Sequence, residues 1–325
     1  MIRSISALKF PDPGKKKFLK SYQLFSMSGK LLYHLPGYHP TQLEWQSKGS
    51  NFVAIALEKA VKLMDRSGRV IWDQNIDRPT VSWNNNGQLL SITQHRSNQI
   101  VLFQLGSKRA RSIDFELKDN LAVQAWSTNG QTLGIGTSKG SVILYDSKND
   151  QSVPILGKHA KKICQLVWSR SNLLGLGSVD GLVTVNNTRG DTLHQQKLRS
   201  EPLQLKFGAM KSDTKSHDDD TISCLLDNQI IFLWRFTTDE QSELSFQAKY
   251  GKIVNYEWYG DGYITIGFDS GRLIGVSTHM AEIGTEIFNI EDHPDLLTQT
   301  RITPDQSRVV TAGETSLRNR SKPMT

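Results

Sequence analysis

A tryptophan recurs along this sequence at nearly constant spacing. Trp45, Trp83, Trp126 and Trp168 are separated by 38, 43 and 42 residues, and each is followed by a small polar turn and an alternating apolar run. A repeat of about 40 residues with this pattern is typical of one four-stranded blade of a β-propeller. Because a single blade cannot bury both of its faces alone, several blades must stack side by side before any of them is stable.

The third copy of the repeat shows the strands of one blade most completely. Alternating apolar residues predict a first strand over residues 122–126, a second over 132–137 and a third over 141–145. The turns between them contain Gly130 and Gly140, and glycine accepts the positive φ that tight hairpin turns require. These signals favour strands over helices.

The period continues after the tryptophan is replaced by other residues. Phe207, Trp258 and Ile302 occupy the equivalent position in the fifth, sixth and seventh copies. The sequence therefore predicts an all-β fold, a seven-bladed β-propeller of the WD-repeat type.

The two ends of the chain bear on how the ring of blades closes. The seventh copy has a first strand near residues 297–303, a second near 308–312 and only a short third piece, so its outer strand is missing. Residues 31–35 are the second half of a predicted hairpin that precedes the first blade. We expect this N-terminal segment to pair onto the last blade and complete it, because a circular array must hide the edges of its first and last sheets.

Domain boundaries follow from the same pattern. We expect a single WD-repeat propeller over residues 21–320, with a short tail over residues 321–325. Residues 1–20 are a basic tail rich in lysine, for which disorder is one interpretation.

Composition excludes several classes of protein. With 325 residues, 37% hydrophobic and 22% charged, the chain is an ordinary globular one, without an apolar run of transmembrane length. The N-terminus has no apolar segment with a cleavage site, so no secretory signal is predicted. Cys164 and Cys224 have no paired spacing. We therefore predict a reducing compartment and a chain that is not secreted.

The formal net charge of +7 allows two interpretations. It is either a scattered, solvated excess or a basic surface that meets an acidic partner. Lys158, Lys161 and Lys162 are the one tight cluster within the repeats, and we predict that they form a rim patch for a partner. No basic run is interleaved with aromatic residues, so no nucleic-acid partner is predicted.

Two glycine-rich stretches resemble a dinucleotide-binding loop when they are read loosely. A phosphate cradle needs G-x-G-x-x-G at the start of a helix that follows a strand, whereas here the spacing is one residue longer and another strand follows. We predict instead that these glycines allow neighbouring blades to approach closely and form hairpin turns. They are Gly134, Gly136 and Gly140, and then Gly175, Gly177 and Gly181.

His159, Ser178 and Asp180 could be mistaken for a base, a nucleophile and an orienting carboxylate. No nucleophile elbow surrounds Ser178, and the same residue types form a hydrogen-bonded brace in WD repeats. We predict the brace without its fourth member, because the usual tryptophan of the third strand is missing and its position falls near Val185 or Asn186. Since no phosphate-binding loop and no metal-ligand spacing occurs either, the sequence predicts no catalytic, metal or cofactor residues and no enzyme.

The recurring aromatic residues have a structural interpretation of their own. Because they repeat at one position of the first strand, we expect them to pack between blades and to face no ligand. Trp72 lies outside this register and is the better candidate for an exposed aromatic residue. The predicted structural core residues are Trp45, Trp83, Trp126, Trp168, Phe207 and Trp258.

Several stretches are more specific than general WD-repeat features. They are residues 153–159, 199–202, 250–262 (YGKIVNYEWYGDG), 266–268, 277–279 and 286–288. These stretches resemble the N-terminal propeller of the WD-repeat protein nineteen family, a large subunit of intraflagellar transport complex A. The similarity covers roughly residues 43–313 and is densest over residues 250–288.

The resemblance implies a non-enzymatic docking scaffold that acts in retrograde ciliary transport and cilium assembly. Members of the family are similar in plan to vesicle-coat subunits, with propellers followed by a helical-repeat arm. The implied partners are other subunits of complex A, with membrane-receptor cargo or its adaptors, and the implied locations are the cytoplasm, cilium, basal body and axoneme. No catalytic residues of the family are carried over, and no cofactor is implied.

One alternative remains open, and so does the status of the chain. A membrane-surface adaptor would bind anionic lipid or receptor tails through the basic rim. The first 40 residues and the residues from Glu314 onward depart from the family pattern, and a second propeller and helical arm are absent. The chain is therefore interpreted as a fragment, a short isoform or the product of a truncated gene model.

Overall fold

The computed structural model describes most of the chain. Both backbone and side chains are described over residues 40–49, 51–210, 219–294, 296–302 and 306–313. The backbone alone is described for four further strands, at residues 7–10, 21–25, 31–35 and 317–321.

The first strands of the chain form a three-stranded antiparallel sheet, here named the N-terminal sheet. Its strands are β1 (Ala7–Phe10), β2 (Ser21–Phe25) and β3 (Leu31–Leu35), in the order β1-β2-β3. Its middle strand, β2, pairs with both of the others, so β3 is an edge strand of this sheet.

Six sheets of four antiparallel strands follow, and in each the spatial order of the strands is their chain order. Sheet 1 contains β4 (Gln42–Trp45), β5 (Phe52–Ala56), β6 (Ala60–Asp65) and β7 (Val70–Asn75). Sheet 2 contains β8 (Thr80–Trp83), β9 (Leu89–Thr93), β10 (Gln99–Gln104) and β11 (Arg109–Asp114). Sheet 3 contains β12 (Leu121–Trp126), β13 (Thr132–Thr137), β14 (Val142–Asp146) and β15 (Gln151–Ile155).

The next sheets repeat this plan. Sheet 4 contains β16 (Ile163–Trp168), β17 (Leu174–Ser178), β18 (Leu182–Asn186) and β19 (Thr192–Lys197). Sheet 5 contains β20 (Leu203–Gly208), β21 (Thr221–Leu226), β22 (Ile230–Arg235) and β23 (Glu240–Ser245). Sheet 6 contains β24 (Ile253–Tyr259), β25 (Tyr263–Phe268), β26 (Arg272–Ser277) and β27 (Glu286–Glu291), with single-turn 3₁₀-helices at Ala248–Tyr250 and Met280–Glu282.

Sheet 7 has three strands, β28 (Leu297–Ile302), β29 (Arg308–Gly313) and β30 (Leu317–Ser321). We expected β3 to complete this sheet, and the structure corrects that expectation. The three strands of the N-terminal sheet pair only with one another, and sheet 7 contains none of them. One of the three, β1, was not predicted from the sequence. The β1 strand also lies inside the region interpreted as a tail. Closure of the sheets into a ring of seven stays a prediction.

Within each sheet, burial depends on the position of the strand. In sheet 3, nearly all of β13 and β14 is buried, whereas β15 is exposed along most of its length. The neighbouring sheets cover both faces of a central strand. Its sequence is therefore a continuous run of small and apolar residues. The outer strand has solvent along one edge and therefore tolerates polar residues.

The hydrophobic core lies between the sheets. One buried cluster joins Leu63 of sheet 1 to Trp83 and Phe103 of sheet 2, and another joins Leu233 of sheet 5 to Ile266 of sheet 6. Sheets 2 to 5 thus each contribute one face to the core shared with the sheet before and one to the core shared with the sheet after, as repeat architectures require.

Glycines on the second strands let the sheets approach closely. A methyl group added at Gly136 would lie 2.6 Å from Ile163 of sheet 4, and one added at Gly177 would lie 2.8 Å from Pro202, just before sheet 5. The prediction that these glycines serve blade packing and not phosphate binding is confirmed by these distances.

Candidate functional site

The seams between sheets contain indoles that donate hydrogen bonds to the preceding sheet. Trp126 Nε1 donates to the Ser82 carbonyl oxygen at 3.1 Å and to the Ser91 hydroxyl at 3.0 Å, both in sheet 2. In the next seam, Trp168 Nε1 donates to the Ala125 carbonyl oxygen at 3.1 Å. These contacts bind the first strand of one sheet to the sheet before it.

The remaining residues of the aromatic series also lie on first strands, with different partners. Trp258 Nε1 donates to the Ser223 hydroxyl at 2.8 Å, and Phe207 packs edge-on against Phe236 with ring centroids 6.1 Å apart. The indole nitrogens of Trp45 and Trp83 are buried and have no hydrogen-bond partner among the described residues. The indoles therefore share one position but not one set of contacts.

Two tryptophans lie outside this series. Trp72 is half-buried and packs on Phe103 of sheet 2, with ring centroids 4.9 Å apart, so the interpretation of Trp72 as an exposed aromatic residue is wrong. Trp234, on the third strand of sheet 5, is fully buried and donates to Asp239 at 2.9 Å.

His159, Ser178 and Asp180 meet at the entry to sheet 4. The Ser178 hydroxyl donates to Asp180 Oδ1 at 2.6 Å and lies 2.8 Å from His159 Nδ1, while His159 Nε2 lies 2.9 Å from the Thr184 hydroxyl. Thr184 is therefore the fourth member of the group, a member that the sequence had predicted to be missing. Because the serine proton is directed at the aspartate, Nδ1–H donates to Ser178 and Nε2 accepts from Thr184.

This arrangement is that of a brace and not of a nucleophile with its base. His159 and Ser178 are almost completely buried, so no substrate can reach the hydroxyl. Burial lowers the pKa of His159 to about 4, which keeps the imidazole neutral. The bonds hold the loop before sheet 4 against the second and third strands of that sheet.

The buried imidazole makes stability depend on pH in a defined window. The unfolded chain binds a proton at His159 below a pH of about 6.5, whereas the folded chain resists protonation down to about 4, so the free energy of unfolding falls as the pH falls through that window. We expect wild type to lose about 1–2 kcal/mol more than His159→Gln between pH 7 and pH 5, measured by urea unfolding at each pH. Parallel pH profiles for the two proteins would contradict this expectation.

A second brace, which the sequence analysis missed, lies at the entry to sheet 7. His293 Nε2 is 2.9 Å from the Thr311 hydroxyl, and that hydroxyl also bonds the carboxylate of Asp292. Like His159, His293 stands four residues before its first strand. A histidine at this offset was the signal that could have revealed it.

The loops that enter the first strands and the turns between second and third strands meet at one edge of the sheets, here named the loop face. His159 N donates to the Gly140 carbonyl oxygen at 2.9 Å, and Leu198 N donates to that of Gly181 at 2.8 Å. In sheet 6 the turn is the donor, since the Asp269 amide donates to the Lys252 carbonyl oxygen at 2.9 Å. These backbone bonds position the side chains of both sets of loops on a common surface.

The three lysines predicted as a rim patch do not share one environment. Lys158 is half-buried, and its ammonium donates to the Gly190 carbonyl oxygen at 2.6 Å and to the Thr192 hydroxyl at 2.5 Å, which binds the loop to the next sheet. Lys161 and Lys162 are exposed on the loop face. The structure thus leaves two of the three lysines available to a partner.

Charged residues also line the first strands of the last sheets. Lys206 Nζ lies 2.8 Å from Glu257 Oε2, and Arg301 lies 2.7 Å from Glu257 Oε1. Burial lowers the pKa of Lys206, an effect that the carboxylate of Glu257 opposes. The three side chains form one charged row across sheets 5, 6 and 7.

Glu44 occupies the equivalent position in sheet 1, where the Trp83 amide donates to its Oε1 at 3.0 Å. Burial raises the pKa of Glu44 to about 8. The folded chain therefore holds a proton that the unfolded chain has already lost above a pH of about 4.5, so stability falls as the pH rises from there to about 8.

Above a pH of about 4.5, folding of wild type requires Glu44 to take up a proton, which lowers the free energy of unfolding. Glutamine needs no proton, and its side-chain oxygen can still accept from the Trp83 amide. We expect the variant to be more stable than wild type by about 1–3 kcal/mol at pH 8, with the difference shrinking towards pH 5. Thermal unfolding of both proteins across this range measures the difference. If the variant exceeds wild type in stability by the same amount at pH 5 and at pH 8, the difference does not come from the ionisation of Glu44.

Other reactive groups in the described part of the chain are inactive by burial. Burial raises the pKa of the Cys164 and Cys224 thiols to about 12, so neither is a thiolate near neutral pH. No group of three or more metal-ligating side chains occurs among the described residues. Over the same residues, no helix has the length and apolar character needed to cross a membrane.

Comparison with known proteins gives a consistent result. Residues 41–322 match the family described as the WDR19 first beta-propeller. The chain is 35% identical over 286 residues to mouse WD repeat-containing protein 19, covering 86% of this chain and 21% of that protein. It is 26% identical over 293 residues to WD repeat-containing protein dyf-2 of Caenorhabditis elegans, covering 87% of this chain and 21% of that protein.

Among solved structures, the computationally designed Ika8 protein superposes with a TM-score of 0.73 at 15% identity, covering 98% of this chain and 97% of that one. Identity this low shows the fold alone. Together with the family match, it confirms the predicted propeller class. The chain spans about a fifth of the length of the curated relatives it matches.

Proposed function

We propose, from the premise that this chain belongs to the WDR19 first beta-propeller family, that it is a non-enzymatic protein-docking scaffold of intraflagellar transport complex A. The observation that carries the proposal is the family match over residues 41–322. Retrograde ciliary transport and cilium assembly are the processes in which the scaffold acts. Its proposed locations are the cytoplasm, cilium, basal body and axoneme.

The side-chain chemistry supports docking over catalysis. The group that most resembles a catalytic triad, around His159 and Ser178, is buried and fully engaged in a brace. Both thiols have a pKa far above neutrality. By contrast, the loop face presents many exposed polar side chains on a rigid set of sheets, the arrangement that propellers use to bind other proteins.

The proposed partners are the other subunits of complex A, with membrane-receptor cargo or its adaptors. A tagged copy of the chain, expressed in ciliated cells and purified under mild conditions, tests this directly. We expect complex A subunits to co-purify with it and not with a tagged propeller of another family. Recovery of the folded chain without those subunits would contradict the proposal.

A membrane-surface adaptor is the second candidate, and the exposure of Lys161 and Lys162 favours it. Lysines near a bilayer gain from its negative surface potential. Flotation with vesicles that contain phosphatidylserine, using wild type and Lys161→Gln/Lys162→Gln, measures the contribution of these side chains. If wild type floats with the vesicles and the double variant does not, the adaptor is supported. If the two proteins float equally, the adaptor is contradicted.

A further inference from the structure

Four exposed lysines gather on the loops that lead into sheets 3 and 4 and on the turn between β13 and β14. They are Lys118, Lys139, Lys161 and Lys162, here named the lysine patch. Lys139 Nζ donates to the Lys118 carbonyl oxygen at 3.2 Å, and a methyl group added at Gly140 would lie 2.7 Å from the Lys161 carbonyl oxygen. The three loops are therefore in direct contact, although Lys118 and Lys162 are far apart in the sequence.

Exposed apolar side chains adjoin the lysine patch. Leu156, at the start of the loop that carries Lys161, is 71% exposed. Val179 is 37% exposed, and its amide donates to the Lys162 carbonyl oxygen at 3.0 Å. A ligand that contacts the lysines can therefore bury aliphatic surface at the same time.

The positive charge of the loop face is concentrated in this patch. Its three loops, residues 115–120, 138–141 and 156–162, carry five lysines against two carboxylates, Glu116 and Asp119. Asp119 is already engaged, since it accepts from the Ser138 hydroxyl at 2.6 Å and from the Lys139 amide at 3.0 Å.

The rest of the loop face is nearly balanced in charge. Its other described loops together carry six lysine or arginine residues against seven aspartate or glutamate residues. These loops are residues 57–59, 76–79, 94–98, 179–181, 198–202, 227–229, 246–252, 269–271 and 292–294.

We propose that the lysine patch binds an acidic segment of a partner protein, with Leu156 and Val179 contacting apolar side chains of that segment. The inference rests on the proposed docking function and names the chemistry of the partner. A flat anionic membrane would approach the whole loop face, and the loops outside the patch add no net attraction because their charges nearly balance. A linear segment can contact the patch alone, so charge complementarity favours the segment.

A labelled peptide of alternating glutamate and leucine is the probe, with its glutamine-for-glutamate analogue as the ligand control. We expect the full chain to bind the acidic peptide, measured by fluorescence anisotropy, and the fourfold lysine-to-glutamine variant of the patch to bind at least about tenfold more weakly. A matched variant removes four exposed charges at the opposite ends of the strands and should bind like wild type. Its substitutions are Lys48→Gln, Arg66→Gln, Lys108→Gln and Lys148→Gln.

The outcomes separate this inference from its alternatives. Equal weakening in both fourfold variants would show that net charge alone drives binding and would overturn the patch. Loss of flotation with phosphatidylserine vesicles in the patch variant, with peptide affinity unchanged, would assign the patch to lipid. Circular dichroism of each variant verifies that it is folded before affinity is compared.

Co-purification with the same variants distinguishes a failure of the patch from a failure of the proposed function. If wild type binds the peptide selectively but recovers no complex A subunits, the patch stands and the proposed function fails. If wild type recovers those subunits but the peptide shows no selectivity for the patch, the function stands and the acidic-segment inference fails.

Discussion

Truncating Trp126 to alanine is expected to lower the free energy of unfolding by about 3–5 kcal/mol. The indole is 8% exposed and lies between Leu133 of its own sheet and the seam with sheet 2. Its removal leaves a cavity and deprives the Ser82 carbonyl oxygen and the Ser91 hydroxyl of a donor. Set against a total stability of about 5–15 kcal/mol, this one change can unfold the domain.

Two further variants test the origin of that loss. Trp126→Phe retains most of the packing but removes the donor, so it should lie between wild type and Trp126→Ala. Leu156→Ala truncates a side chain that is 71% exposed, and it should change stability by no more than about 0.5 kcal/mol. Denaturant unfolding at one pH measures all three. A Trp126→Ala protein as stable as Leu156→Ala would overturn the seam assignment.

Substituting alanine for Gly140 is expected to cost about 3 kcal/mol or more, from two separate causes. The glycine has a φ of +90°, which disfavours any residue with a Cβ. Its new methyl group would also overlap the backbone carbonyl oxygen of His159. His159 is held in place there because its amide donates to the Gly140 carbonyl oxygen. The same substitution should disturb the His159 brace.

Two other glycines separate these causes. Gly157 also has a positive φ, +61°, but nothing lies within 4 Å of an added methyl group, so Gly157→Ala should cost only about 1 kcal/mol. Gly106 has neither feature, and Gly106→Ala should be neutral or slightly stabilising. Thermal unfolding should rank the variants in the order Gly140, Gly157, Gly106 from most to least damaging. Equal effects at Gly140 and Gly157 would show that the backbone contact contributes nothing.

Much of the fold could be predicted from the sequence. The strands over 132–137 and 141–145 were placed within one residue of β13 and β14, because alternation and turn glycines act within a few residues of each other. The hairpin of β2 and β3 was predicted in the same way, but the pairing of β3 with sheet 7 was wrong. Whether a strand far away in the sequence meets the second edge of β3 depends on how whole sheets pack, which the local pattern does not show.

The candidate site was predictable in part. His159, Ser178 and Asp180 were grouped correctly by residue type and position, but Thr184 was not identified. Lys158 was grouped with its neighbours because nothing in the local sequence shows that its ammonium meets Gly190, which is 32 residues away. Lys118 and Lys139 joined the lysine patch only once the loops had been packed together.

By itself, the sequence determined the repeat, the strand period and the position of the indoles, since each depends on residues that are close along the chain. Only the tertiary structure decided which side chain meets which across a seam. Gln204 donates to the Val254 carbonyl oxygen, and Asn255 to that of Thr300, over separations of 50 and 45 residues. Such pairs depend on how whole sheets pack against one another. The lateral offset between two sheets cannot be predicted from the residue pattern of a single strand, because that pattern shows only which face is buried.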